Sequence, residues 1–190
     1  MVVEKDINLI TNLIQVIVVN ADVIEHSGKT VLDHLIGTYI ILDELEASET
    51  LKLAGAFHNI YDTEKFKLGI KDSIKRNCFI DKIGIEPENI ICLFSNLIWS
   101  NFMKSPPDKF RTNYDFYFKK YQEVGHFHFE QVVLLFFGNI IEQIDIIPYE
   151  KRKFFRSLSF KYQHFMTAVQ SIKIKDALSE NDCNNFKELI

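Results

Sequence analysis

Two apolar stripes of helical period, separated by a short turn, occupy residues 31–61, and they leave this stretch little choice but an antiparallel helical hairpin. In the first stripe Leu32, Leu35, Ile36, Tyr39, Leu42 and Leu45 recur at three- and four-residue spacing, which gathers side chains on one face of an α-helix. Thr30 stands before it as an N-cap, and Asp33 at the third helical position makes a short capping box. The pattern predicts a helix from Val31 to about Glu46, a turn at Ala47 and Ser48, and a second helix over 49–61 capped by Ser48. The second stripe, Leu51, Leu53, Ala54, Ala56, Phe57 and Ile60, is nearly continuous, as in a buried helix. The small run Ala54-Gly55-Ala56 lets another helix approach closely.

The rest of the chain supports the same class. Seven Gly and four Pro in 190 residues supply few of the turns that an all-β fold needs, so the expectation is all-α: a bundle of six to eight helices. Helical patterns cover 6–24, where the VIVV run is ambiguous, then 64–77, and 88–102 opened by Pro87 and Glu88. KSPPD at 104–108 is the clearest punctuation, a linker or a surface loop. Beyond it come an aromatic-rich stretch at 110–130, a helix through VVLLFFGNIIEQI that ends before Pro148, another over 149–171, and a weak, fraying helix over 175–190. The 190 residues read as one domain, with 1–103 carrying the histidines and 109–190 a helical extension.

Charge and cysteine usage narrow the function classes. A net charge of −4 argues against general nucleic-acid binding. Cys78, Cys92 and Cys183 are far apart, with no CxxC, so neither a zinc knuckle nor a disulfide framework is indicated. A reducing cytoplasm is the simplest setting. The apolar runs near 13–19 and 132–137 are too short to span a bilayer.

The candidate chemistry is histidine chemistry. His34 and His58 fall on successive helices of the hairpin, where such positions can face each other. Asp62 lies four residues after His58, so both are expected to project from one face of a helix, and His26 precedes the first helix near the level of His34. Two or three imidazoles and one carboxylate suit an open site for a divalent transition ion such as Fe, Mn or Zn. Hydrogen-bonded core histidines are the plainer reading of the same spacing. His126 and His128 in HFHFE would share a face of a strand, or His126 and Glu130 a face of a helix, and either arrangement can line the pocket. The basic segment KRKFFRSLSFK at 151–161 reads as a core stripe with a solvated basic face. The GKT at 28–30 lacks the first glycine and the preceding strand of a phosphate loop.

The pattern His34-Leu-Ile-x-x-Tyr39, followed by Leu53-Ala-Gly-Ala-Phe-His58-Asn-Ile-Tyr-Asp-Thr63, resembles the HD-domain superfamily. HxxxxxxxHLxxTY followed by AGxxHxxYxT looks like a little-characterised bacterial HD-like family that lacks the Asp after its central His. The match covers about residues 25–63. The resemblance implies an HD-domain-like helical bundle and a metal-dependent enzyme acting on a small molecule, of hydrolase or non-haem iron oxygenase type. The alternative is a non-catalytic ligand-binding or protein-interaction module. Two departures stand out: Asn59 replaces the usual Asp, and Ser95 or Asn96 stands where a later Asp is expected. The expected metal ligands are therefore His26, His34, His58 and Asp62. Asp62, Tyr61 and Thr63 serve chemistry, and Asn59, Tyr39, Ser95, His126 and His128 line a ligand pocket. The expected partners are a small molecule and a second copy in a homodimer, with no nucleic acid and no membrane. In the interaction-module alternative the aromatic 110–129 stretch supplies the partner surface.

Overall fold

The computed structural model describes residues 4–26, 28–61, 73–97, 99–104, 111–113, 121–123 and 126–179. The protein is an all-α bundle built around the expected hairpin. Helix α1 covers Glu4–Ile17, and a two-stranded ribbon follows, β1 (Glu25–His26) paired antiparallel with β2 (Lys29–Thr30). The hairpin is α2 (Val31–Glu44) and α3 (Glu49–Ala56); then come α4 (Ser73–Ile83), α5 (Ile85–Ser95) and α6 (Trp99–Lys104). A second ribbon pairs β3 (Arg111–Asn113) with β4 (Tyr121–Glu123), and α7 (His126–Glu142), α8 (Tyr149–Lys161) and α9 (Ala168–Ala177) complete the described elements.

Local chemistry sets the hairpin. The Thr30 hydroxyl accepts from the Asp33 amide at 3.1 Å and donates to the Asp33 carboxylate at 2.7 Å. Ser48 accepts from the Leu51 amide at 3.3 Å. These caps satisfy donors that the first helical turn leaves orphaned. The second helix is shorter than expected: it ends at Ala56, and residues 57–59 form a turn. There the His58 ring donates from Nδ1 to the Gly55 carbonyl at 2.7 Å. It shares that last-turn carbonyl with its own backbone amide, which bonds it at 3.4 Å. His58 thus sits just beyond the helix rather than on its face.

Helix α2 packs on α3 and α7, and these three surround the core. Gly55 makes the α2–α3 approach feasible, because a Cβ there would come within 2.3 Å of Leu42 Cδ1. Leu42 is itself fully buried.

Nine α-helices form among the described residues, because two long expected helices each divide. The 88–102 run breaks at Asn96, where Ser95 Oγ donates to the Ile91 carbonyl at 2.8 Å and the Asn96 amide to the Cys92 carbonyl at 2.7 Å. Side chains that bond the backbone in this way compete with the helical ladder. The 149–171 run breaks before a capping box between Thr167 and Gln170. The ambiguous VIVV run leaves α1 at Ile17, and Asn20 adopts a left-handed conformation (φ 63°) in the turn that follows. The expected 64–77 helix lies outside the described residues up to 72, and the expected 175–190 helix does so from 180 onward. The Tyr162 hydroxyl donates to the Phe102 carbonyl and its ring stacks on Phe102, tying α8 to α6.

Candidate functional site

Four elements converge on His34. It lies in the first turn of α2, fully buried. The ribbon before α2 reverses at Gly28 (φ 81°), which sets His26 opposite Lys29. The His26 ring packs against the His34 ring, centroids 4.5 Å apart. From the other side comes His58, just beyond α3 and fully buried. Helix α7 supplies Asn139, beside His58, and Glu142, which reaches His34. Gly37 permits that reach, since a Cβ there would lie 2.8 Å from Glu142 Oε1.

The polar groups form one line. Lys29, its side chain 33% exposed, donates to Glu142 Oε1, whose side chain is 4% exposed. Glu142 Oε2 accepts from His34 Nδ1 at 2.5 Å. His34 Nε2 faces His58 Nε2 at 3.2 Å. His58 Nδ1 then donates to the Gly55 carbonyl. The Phe94 ring closes the wall edge-on to His58, centroids 5.5 Å apart.

Hydrogen bookkeeping makes this line informative. The Gly55 carbonyl only accepts, so His58 Nδ1 carries its hydrogen and the neutral ring turns the Nε2 lone pair toward His34. An ionised Glu142, held by Lys29, likewise draws a hydrogen onto His34 Nδ1. A neutral His34 then also presents a lone pair at Nε2. Two lone pairs aimed at each other call for a cation: a proton shared as an N–H···N bond, or a metal ion. Two nitrogens on one tetrahedral ion at about 2.0–2.1 Å stand roughly 3.3–3.4 Å apart. The observed 3.2 Å separation fits such a pair of ligands. Fixing the distal nitrogen by a carboxylate or a backbone carbonyl is also the usual support of a metal-binding histidine.

Burial sets the protonation of the flanking rings. It pushes His58 down to about 3, with His34 adding to the effect while the Gly55 carbonyl and Asn139 oppose it. His26 is lowered to about 4, first by burial and then by His34, against the pull of Glu142. Both rings are neutral near pH 7, the form that ligates metals.

The other expected site residues fall elsewhere. Asp62 and Thr63 lie outside the described residues. The Tyr61 hydroxyl donates at 2.7 Å to Glu88, a fully buried carboxylate that also takes a two-bond grip from Arg76 at 2.7 and 2.8 Å. Burial, followed by Glu88, raises the Tyr61 pKa. Asn59 is buried in the turn after α3. The Ser95 hydroxyl is bonded to its own helix, as described above. Tyr39 lines a surface cleft with residues of α1, α3 and α5. His126 and His128 are helical, in the first turn of α7, and their side chains lie outside the described set, as does most of the aromatic 110–129 stretch. Among the described residues, no three of His, Cys, Asp and Glu gather as a metal cluster. His34 and His58 supply two nitrogens, and His26 stands beside them.

Sequence reasoning missed Lys29, Asn139 and Glu142. Glu142 left one signal: it is the lone carboxylate at the end of the apolar run VVLLFFGNIIE, three residues after Asn139.

A family model described as a domain of unknown function (DUF6817) is similar to residues 15–97, less than half of the chain. The matched stretch contains all three histidines of the cluster and stops well before Glu142. No curated protein and no solved structure matches the chain. No described helix is long and apolar enough to cross a membrane.

Proposed function

We propose that this chain is an HD-like metal-dependent enzyme acting on a small molecule. His34 and His58 hold a divalent transition ion through Nε2, and His26 or Asp62 completes the set. One observation carries the reading: two fully buried imidazoles direct Nε2 at each other across 3.2 Å while each Nδ1 is anchored. An ion held there supplies Lewis-acid polarisation and activates water, or, if it is iron, oxidative chemistry. The chain's own residues do the positioning. Glu142 holds His34 in the tautomer that frees Nε2, Lys29 bonds the other carboxylate oxygen of Glu142, and the Gly55 carbonyl does for His58 what Glu142 does for His34. Phe94 keeps the inner wall apolar.

A second reading draws on Asn59 and Ser95, which replace the carboxylates of a standard HD hydrolase. A proton, rather than a metal, then joins His34 to His58, and the cluster is a buried polar brace in a binding module. Elemental analysis of protein purified without chelators separates the two. The enzyme reading expects near-stoichiometric Fe, Mn or Zn that is lost in His34→Ala and His58→Ala. No retained metal after loading with each ion overturns it. Zn or Mn directs the activity screen to hydrolysis, and Fe to oxygen-dependent turnover.

A further inference from the structure

The large apolar side chains that stand exposed gather mainly in two places. On α1, Leu9 and Val16 lie on the outward face, opposite the buried Ile10 and Ile14, and Val19 and Val23 stand exposed just beyond the helix. On α8 and α9 the exposed groups are Tyr149, Phe154, Phe160, Val169 and Ile172, each 40–60% open. The core stripe expected over 151–161 keeps Phe155 and Leu158 inside but leaves Phe154 out. Exposed apolar groups gathered in patches mark interaction surfaces.

The two patches carry opposite charge. Residues 6–28 contain Asp6, Asp22 and Glu25 and no Lys or Arg. All three carboxylates are exposed and form no ion pair among the described residues. Residues 149–179 hold seven Lys and Arg against Glu150 and Asp176, although the chain as a whole carries −4. Lys153 and Phe154, then Ser157, then Phe160 and Lys161 follow at three- and four-residue steps, so one stripe of α8 mixes cations with aromatics. Lys151 and Arg156 form no ion pair among the described residues. Lys175 of α9 stands 4.3 Å from the centre of the Phe160 ring.

We propose that the two patches bind each other between copies of this chain: the basic, aromatic face of α8 and α9 on one protomer docks on the acidic, aliphatic face of α1 on its partner. The apolar side chains supply buried area, and the opposite charges steer the approach and fix the register. One occupant then covers both patches. An anionic bilayer or a nucleic acid would leave the α1 face bare, and Lys175 already covers a face of Phe160 on which a base would stack. The contact joins unlike surfaces, so it closes through a reciprocal pair or a ring, or extends as an open chain.

Sedimentation of the full-length protein tests this. The expected mass rises above the 22.3 kDa of one chain as concentration increases, and added salt lowers it again. Lys153→Glu with Arg156→Glu reverses the basic patch, and Asp6→Lys with Asp22→Lys reverses the acidic one; all four residues are exposed. Each pair of changes weakens self-association at least about tenfold, because like charges then face each other. An equimolar mixture of the two reversed chains associates again. Phe154→Ser and Val16→Ser leave the charge alone and each weaken association about fivefold. Circular dichroism confirms the fold of every variant. Should a reversed chain prove unfolded, the apolar variants and the salt dependence decide. The proposal is overturned if the protein stays a monomer up to millimolar concentration, or if either reversed chain associates as the unaltered one does. It is equally overturned if the mixture does not regain what the reversals remove, or if the apolar variants leave association intact. A monomer that instead binds phosphatidylserine vesicles or a single-stranded oligonucleotide through Lys153 and Arg156 overturns it as well.

Discussion

Glu142→Gln is the substitution on which the histidine account leans hardest. Glu142 is 4% exposed and takes bonds from both Lys29 and His34. Glutamine keeps the shape and one acceptor, so His34 Nδ1 retains a partner while the charge is lost. Hydrogen bonds to a charged group contribute about 1.5–3 kcal/mol, against roughly 0.5–1.5 kcal/mol for neutral ones. Lys29, a third exposed, turns out to water, which removes the buried-ion penalty that a fully enclosed lysine would suffer. The net loss is therefore about 1–3 kcal/mol. For a chain of this length each kcal/mol lowers Tm by about 2–4 °C. Loss of the carboxylate behind a ligating histidine lowers metal affinity about 10- to 100-fold. Urea unfolding with an unchanged slope measures the first quantity, and competition with a chromophoric chelator the second. Glu46→Gln is the control. Its pair with Lys173 is exposed on both sides, and such pairs are worth about 0–1 kcal/mol. If Glu142→Gln proves no more harmful than Glu46→Gln in stability and in metal affinity, the line from Lys29 to His58 does not organise the site.

Three further outcomes are expected. Gly55→Ala drives a methyl into Leu42 and destabilises by about 1–3 kcal/mol; a double-mutant cycle with Leu42→Ala, followed by thermal unfolding, checks this, and the double variant is expected to lose less than the two separate losses summed. Arg76→Met strips a fully buried Glu88 of its cation and destabilises by about 3–5 kcal/mol, measured by urea unfolding, whereas Tyr61→Phe removes one bond and about 1–3 kcal/mol. In chelator-treated protein, His58 has its folded pKa lowered from 6.5 to about 3, so between those values the unfolded state binds the extra proton. Its contribution to stability is complete above pH 6.5 and is lost as pH falls toward 3, with a slope of up to about 1.4 kcal/mol per pH unit. His58→Gln removes that component of the slope, as unfolding curves between pH 7 and pH 4.5 will register.

The hairpin was legible because its information is local. Three- and four-residue spacing marked the buried face of α2, and Thr30 and Ser48 act as the caps their positions suggested. The meeting of His34 with His58 followed from the same local reading. The end of α3 at Ala56 did not, because it depends on a side chain, His58, bonding back to the Gly55 carbonyl. The break at Asn96 was hidden for a related reason, since Ser95 and Asn96 bond their own helix in place of extending it. Glu142 sits 108 residues from His34, and no periodicity links residues that far apart. Only its position as a lone carboxylate at the end of an apolar helix hinted that it had a buried partner. Tyr39, expected in the ligand pocket of the histidines, lies in the wall of a separate surface cleft. Helical geometry puts it five residues past His34, which turns it toward α1 and α5, away from the imidazoles.

The central claim is that His34 and His58 bind one metal ion through Nε2. X-ray absorption at the metal edge of loaded protein tests it most directly. The account predicts at least two imidazole nitrogens at about 2.0–2.1 Å, with that imidazole signature diminished in His34→Ala and in His58→Ala. A spectrum without imidazole scattering, or one that neither substitution changes, would contradict it.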